Sequence, residues 1–340
     1  MCLDVEHAIV QFPALHMRKH WLLILQVALS VFLLWRIFGH PALRQESSRV
    51  FGEADLVWLL GGLFTALLTE FLCAVRWWLM LRIFGVPVGF GRTCAFAGAG
   101  LFFSLGLPGS GGGDAFRILY VMRLHPTRKL RAGLSVLADR LCGLFALLLT
   151  VVFPVLRHAQ FAAHPESYAI LAAAGTVLVI AALLVLLWWM TTWPSLHQKW
   201  IHLAPAKIRP QAVRLGHIFA GMGSHPRPVF TAIALSFAAL LAHFTTYWFS
   251  VRAFGLPLSL GDIFAIMPLV DTLTMLPVTL YGIGLRETLF EYLLGGLFGI
   301  APGAATLASL GGFSLQAAVA LLGGLLIPFT APRKTTAYKP

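Results

Sequence analysis

Runs of about 20 apolar residues, separated by short stretches rich in Lys, Arg, Gly or Pro, occupy most of the chain. A helix rises about 1.5 Å per residue, so roughly 20 residues cross a hydrocarbon core about 30 Å thick. Runs of this kind lie at 21–38, 55–84, 132–155, 168–190, 228–251 and 303–328, and each predicts a full transmembrane helix. Two other apolar stretches, 93–124 and 262–298, are interrupted, the first by LGLPGSGGGD at 105–114 and the second by MLPVTLYGIG at 275–284. Pieces of roughly 13–16 residues remain on either side, too short to cross alone, and they predict re-entrant hairpins that turn back near the midplane. The expected fold is all-α: a polytopic membrane helix bundle of about six full spans plus two re-entrant broken hairpins.

The chain also repeats itself. WLMLRIFGVPVGFG at 78–91 and WFSVRAFGLPLSLG at 248–261 share the frame W-x3-R-x-F-G-x-P-x3-G, with every match 170 residues apart. A broken hairpin follows each copy, where Pro108/Pro277, Gly113/Gly282 and Arg117/Arg286 match at an offset of 169, so one deleted residue reconciles the two offsets. Trp, Arg, Pro and Gly recurring together at fixed spacing point to an internal duplication, with repeats at about 76–155 and 246–328. Three predicted crossings separate the copies, because a re-entrant hairpin contributes none. An odd number makes the repeats inverted, and interrupted segments at corresponding places in inverted repeats point to a transporter with its site near the midplane.

Composition agrees with a membrane protein and excludes an ordinary soluble domain. Apolar residues make up 59% of the chain and charged residues 11%, with a mean hydropathy of +0.83, against about 45–50% and 25% in soluble proteins. The net charge of +12 reads as topology. With the N-terminus cytoplasmic, 16 of the 25 Lys and Arg fall inside and five outside, and four, Arg76, Arg117, Arg140 and Arg286, lie within apolar stretches. This orientation gives a cytoplasmic segment 1–19, with Met17 as a candidate start, a single integral membrane domain 20–330, and a cytoplasmic tail 331–340. Cys2, Cys73, Cys94 and Cys142 form no CxxC pair, so neither a disulfide framework nor a metal site is expected.

Candidate chemistry concentrates at the two breaks. In the first, the turn Pro108 to Gly113, which includes Ser110, leads into a helix beginning around Asp114, placed as an N-cap, with Arg117 in the first turn. Free amides, the positive end of a helix and an arginine together make an anion site. The second break repeats this with Gly282 and Gly284 leading to Arg286 and Glu287, so the two helix ends could face one phosphate from opposite sides. The alternative is that Arg117 pairs with Asp114 and Arg286 with a nearby carboxylate, merely stabilising the turns. Asp139 and Arg140 are adjacent, point about 100° apart on a helix, and so seek partners elsewhere in the bundle. Asp271 and Glu70 are candidate proton sites, with an ion-paired structural role as the alternative. His243 reads as a hydrogen-bonded core residue. The glycine run lacks the Lys-Ser/Thr of a nucleotide loop, and no metal, hydrolase or nucleic-acid signature is present; no cofactor is expected.

At LGLPGSGGGDAFR (105–117), LADRLCGL (137–144) and LPVTLYGIGLRE (276–287), the sequence resembles the lysylphosphatidylglycerol synthase transmembrane family, flippase-like integral membrane proteins that include the membrane half of the bacterial multiple peptide resistance factor. The resemblance covers roughly residues 20–330. It implies a bacterial inner-membrane protein that moves or handles a polar-headed lipid. The family's motif residues carry over to Pro108, Gly113, Asp114 and Arg117, to Asp139 and Arg140, and to Gly284, Arg286 and Glu287. The chain ends twelve residues after Pro328, so the aminoacyl-transfer domain of the bifunctional members is expected to be absent. The implied partner is a membrane lipid, whether phospholipid, glycolipid or hopanoid, with a lipid-modifying enzyme as a second candidate. A lipid translocator is the first expectation; a membrane subunit of a lipid-modifying enzyme, or a scaffold that transports nothing, are the alternatives. Oligomeric state is not legible in the sequence.

Overall fold

The computed structural model describes residues 32, 35, 54–106, 112–151, 226–275, 279 and 282–330. The expected span 168–190, all of 21–38 but Phe32 and Trp35, and the turn residues Pro108, Ser110 and Pro277 lie outside the described residues. Eight α-helices make up the described part: α1 (Leu56–Ile83), α2 (Phe90–Gly106), α3 (Gly112–Leu124), α4 (Lys129–Thr150), α5 (Pro226–Ala253), α6 (Leu260–Thr274), α7 (Leu285–Phe298) and α8 (Pro302–Gly324). Four of them, α1, α4, α5 and α8, are long and apolar enough to cross a membrane, and they coincide with four of the expected spans.

The other four are short. α2 and α3 have 17 and 13 residues, and α6 and α7 have 15 and 14, which corresponds to about 20–25 Å each at 1.5 Å per residue. None of these lengths spans the hydrocarbon core. α2 and α3 fold back on each other: Phe103 stacks on Phe116 with ring centres 4.6 Å apart, and Phe96 meets Tyr120 at 5.8 Å. As the residue number rises on one helix it falls on the other, which is the geometry of a re-entrant hairpin.

The duplication is visible in the backbone. Adding 170 to the bounds of α1 gives those of α5, and α2 and α6 begin 170 residues apart. Both long helices end in the same turn. Gly85 and Gly255 adopt φ of 67° and 71°, a left-handed conformation that glycine reaches without a Cβ clash. Around them, Phe84, Gly85, Val86 and Val88 donate to Met80, Arg82, Leu81 and Val86, and residues 254, 255, 256 and 258 repeat these four bonds. Pro87 and Pro257 then prevent the helix from continuing. Two helix starts are capped by side chains: the Asp55 carboxylate caps α1 by accepting from the amide of Val57, and Ser259 and Asp262 form a reciprocal capping box on α6.

The two repeats are inverted. Asp55 N donates to Ala253 O at 2.9 Å, Thr65 and Thr246 share a hydroxyl hydrogen bond at 2.9 Å, and Arg76 reaches Ser236 at 3.0 Å. α1 and its counterpart α5 are therefore antiparallel neighbours. A two-fold axis between them should map the 65–246 contact onto 76–235, since 246 minus 170 is 76 and 65 plus 170 is 235. The observed Arg76–Ser236 bond lies one residue from that position.

Each repeat has its own apolar core, one around Trp77, Met80, Phe96 and Val136 and the other around Tyr247, Ile266, Phe290 and Leu294. Lipid is as apolar as these side chains, so close fit, more than burial, holds such helices together. Small residues provide the fit: Gly98 of α2 and Gly323 of α8 bring their backbones into direct contact, and Gly62 receives Phe249 and Leu315. The opposite face of α1 presents Leu56, Leu60, Phe64, Leu67 and Phe71, all exposed, as suits a lipid-facing surface.

Candidate functional site

Where the repeats meet, a cavity of about 320 Å³ opens near the midpoints of α1, α4 and α5. α1 contributes Thr69, Cys73 and Arg76; α4 contributes Arg140 and Gly143; α5 contributes Ser236 and His243. Asp271 and Thr274 of α6, the turn residues Thr279 and Gly282, Arg286 of α7 and Gln316 of α8 complete the lining. Three guanidinium groups thus reach one space at the depth where charge is hardest to solvate.

Two of these arginines are held by repeat 1. The Arg76 guanidinium grips Asp139 with two bonds, Nε to Oδ1 at 2.6 Å and Nη2 to Oδ2 at 3.3 Å, and its third nitrogen donates to Ser236. Gly143 leaves the room: a Cβ there would sit 3.1 Å from Arg76 Nη1. Arg140 pairs through Nε with Asp114 at 2.5 Å. Arg117 lies between the two acids, 3.8 Å from Asp114 and 3.9 Å from Asp139, with its guanidinium 5.2 Å from the centre of the Trp77 ring. Arg140, Asp114, Arg117, Asp139 and Arg76 therefore form an alternating chain of three cations and two anions, leaving one net positive charge. Asp139 and Arg140, neighbours in sequence, do find separate partners.

Repeat 2 arranges its polar groups differently. Arg286 is buried at 7% exposure, with its guanidinium 5.3 Å from the Phe313 ring centre and 5.9 Å from that of Tyr247. His243 Nε2 lies 2.9 Å from Asp271, and its Nδ1 lies 2.8 Å from the Gln316 amide. Glu287 is occupied: one oxygen accepts from the Gly284 amide at 2.5 Å, the other from the Ser309 hydroxyl at 3.0 Å. Gly284, with φ of 86°, precedes the first turn of α7, so this carboxylate serves the start of that helix.

The residues singled out in the sequence thus separate into groups. Arg140, Asp271, Gly282 and Arg286 line the cavity. Asp114 and Asp139 hold its arginines from behind, and Arg117 lies among them, outside the lining. Gly113 packs in the first hairpin, where a Cβ would collide with Gly100 and Ser104. Gly284 and Glu287 build the α7 start, and Glu70 borders a second, smaller cavity. Asp114 lies in the first turn of α3, which begins at Gly112, so it is not the N-cap expected. There it balances the helix dipole while bonding Arg140. Ser110 is outside the described residues. Sequence reasoning left Arg76 without a role and passed over Ser236 and Gln316; the signal for Arg76 was its position inside an apolar span. His243 is hydrogen-bonded as expected, and it also lines the cavity.

No curated protein matches this chain. The family model described as the lysylphosphatidylglycerol synthase TM region matches residues 23–324, a stretch that contains α1–α8 and every residue lining the central cavity. The chain belongs to this lysylphosphatidylglycerol synthase TM region family, and it is a polytopic helical membrane protein with a lipid-related function.

Proposed function

We propose that the protein is a lipid translocator, which passes a polar headgroup through the central cavity while the acyl chains remain in the bilayer. The observation that carries this reading is the convergence of Arg76, Arg140 and Arg286 on one cavity between inverted repeats, near the midpoints of the spanning helices. A charge at that depth costs about 2.5–3.5 kcal/mol on insertion scales, and three are hard to explain by packing alone. A phosphodiester supplies the anion that this surplus lacks. Arg286 and Arg140 are its direct contacts, and Arg76, already gripped by Asp139, holds the positive field in place. Asp271, on the same wall, suits an amine on a zwitterionic headgroup. Midplane sites at broken helices between inverted repeats are the transporter arrangement. The setting we assign is a bacterial inner membrane with both ends of the chain cytoplasmic, in keeping with the basic loops.

The test is leaflet exchange of fluorescent phospholipids in liposomes carrying the purified protein, read with a membrane-impermeant quencher. Exchange in the wild type that Arg286→Ala abolishes, in a protein that remains monodisperse, supports translocation. If no headgroup class is exchanged by folded wild-type protein, the reading fails. Activity that appears only when a group donor is added would favour a lipid-modifying subunit.

A further inference from the structure

Beside the main cavity lies a second of about 20 Å³, lined by Ala66, Thr69, Glu70, Leu101, His243, Gln316 and Val319. Its volume admits about one water molecule. Thr69, His243 and Gln316 line both spaces, so they are the wall between them. Glu70 stands on one side of this wall and Asp271 on the other. Among the described residues no hydrogen bond or ion pair satisfies Glu70, although its carboxylate sits inside a spanning helix. Asp271, by contrast, is bonded to the wall itself, at 2.9 Å from His243 Nε2.

We propose that Glu70 is an internal proton-binding site that exchanges its proton with the central cavity through His243 and Asp271. In the starting form we assign to His243, the Gln316 amide nitrogen donates to Nδ1, and Nε2 carries the ring hydrogen and donates it to Asp271. A proton leaving the Glu70 carboxyl, through one water, protonates Nδ1 as Gln316 turns its amide oxygen toward the new N–H. The Nε2 hydrogen then passes to Asp271. One proton has moved from one carboxyl group to the other, with no electrons transferred and the imidazole neutral before and after. The charged and titratable groups around Glu70 and His243 are Cys73 and Arg76 on α1, Arg117 on α3, Arg140 on α4, Asp271 on α6 and Arg286 on α7. An anion in the main cavity meets Arg76, Arg140 and Arg286 on its wall, and so alters the field along the proton path.

The experiment reads the proton itself and needs no lipid substrate. Infrared difference spectra of the purified protein in nanodiscs, recorded between acid and alkaline buffer, should contain a protonated-carboxyl band that is lost in Glu70→Gln and displaced in Glu70→Asp. After a pH jump, His243→Gln, which keeps a hydrogen bond but cannot relay, should slow that band at least tenfold. A band that survives in Glu70→Gln, or an unchanged rate in His243→Gln, overturns the proposal. If Glu70→Gln fails to fold, the displaced band of Glu70→Asp decides. Because this readout is separate from lipid exchange, a normal proton band in a protein that moves no lipid would count against translocation alone.

Discussion

The two repeats share a backbone and almost none of their charges. Arg76, Asp114 and Arg117 of repeat 1 correspond, by the 170 and 169 offsets, to Thr246, Ile283 and Arg286. Only the hairpin arginine is kept. In the reverse direction, His243 and Asp271 correspond to Cys73 and Leu101. Repeat 1 has become a neutralised electrostatic frame, whose acids fix its arginines in place. Repeat 2 instead supplies a wall in which a histidine joins an amide to an acid. Duplication supplied two similar helix sets, and polar substitution then divided the work.

That division is open to attack at several points. The largest effect is expected from Asp139→Ala, which leaves Arg76 buried without its partner. Loss of one member of a buried pair costs about 3–5 kcal/mol, to be read as equilibrium unfolding in mixed micelles. Next come the hairpin glycines. Gly113→Ala drives a Cβ into the Gly100 backbone and should cost about 1–3 kcal/mol. Gly282→Ala, at φ of 78°, should cost about 1–2 kcal/mol through backbone strain.

Function should respond in the opposite sense. Arg286→Ala should lower lipid exchange at least tenfold, about 1.4 kcal/mol of barrier, in protein that remains monodisperse. Ile283→Asp sharpens the comparison further by placing in repeat 2 the acid that Asp114 provides in repeat 1, three residues before the arginine. It should add a competing carboxylate beside Arg286 and reduce exchange nearly as far; if exchange is unaffected, Arg286 is not the headgroup contact. The smallest effect belongs to Thr65→Ala, which removes one hydroxyl bond between α1 and α5 and should cost about 0.6 kcal/mol.

Much of the frame is legible in the order of the amino acids. The four described spans, the two short-helix pairs, the inverted repeat and the family all follow from run lengths, glycine–proline breaks and a recurring motif. The site is only partly legible there. That Arg117 and Arg286 are a matched pair is plain in the sequence. That Asp114 and Asp139 surround the first, while the second borders the cavity, depends on helices meeting across 63 residues for Arg76 and Asp139, 160 for Arg76 and Ser236, and 73 for His243 and Gln316. No local spacing encodes such meetings. Glu287 is the exception, because an acid three residues after Gly284 at a helix start is a capping pattern, and its structural role could be assigned from sequence alone.

The Gly85 and Gly255 turns carry a consequence for how this chain enters a membrane during synthesis. Each follows an arginine, Arg82 or Arg252, that is exposed at the end of a spanning helix. Arg82 lies 4.2 Å from the ring centre of Trp78, and Arg252 lies 5.2 Å from that of Trp58. Because the halves are upside down relative to each other, the two arginines emerge on opposite surfaces. Whichever way the chain is threaded, one of them must be carried across to the side that disfavours positive charge. The aromatic ring beside each arginine gives whichever cation is translocated an attachment on the protein itself.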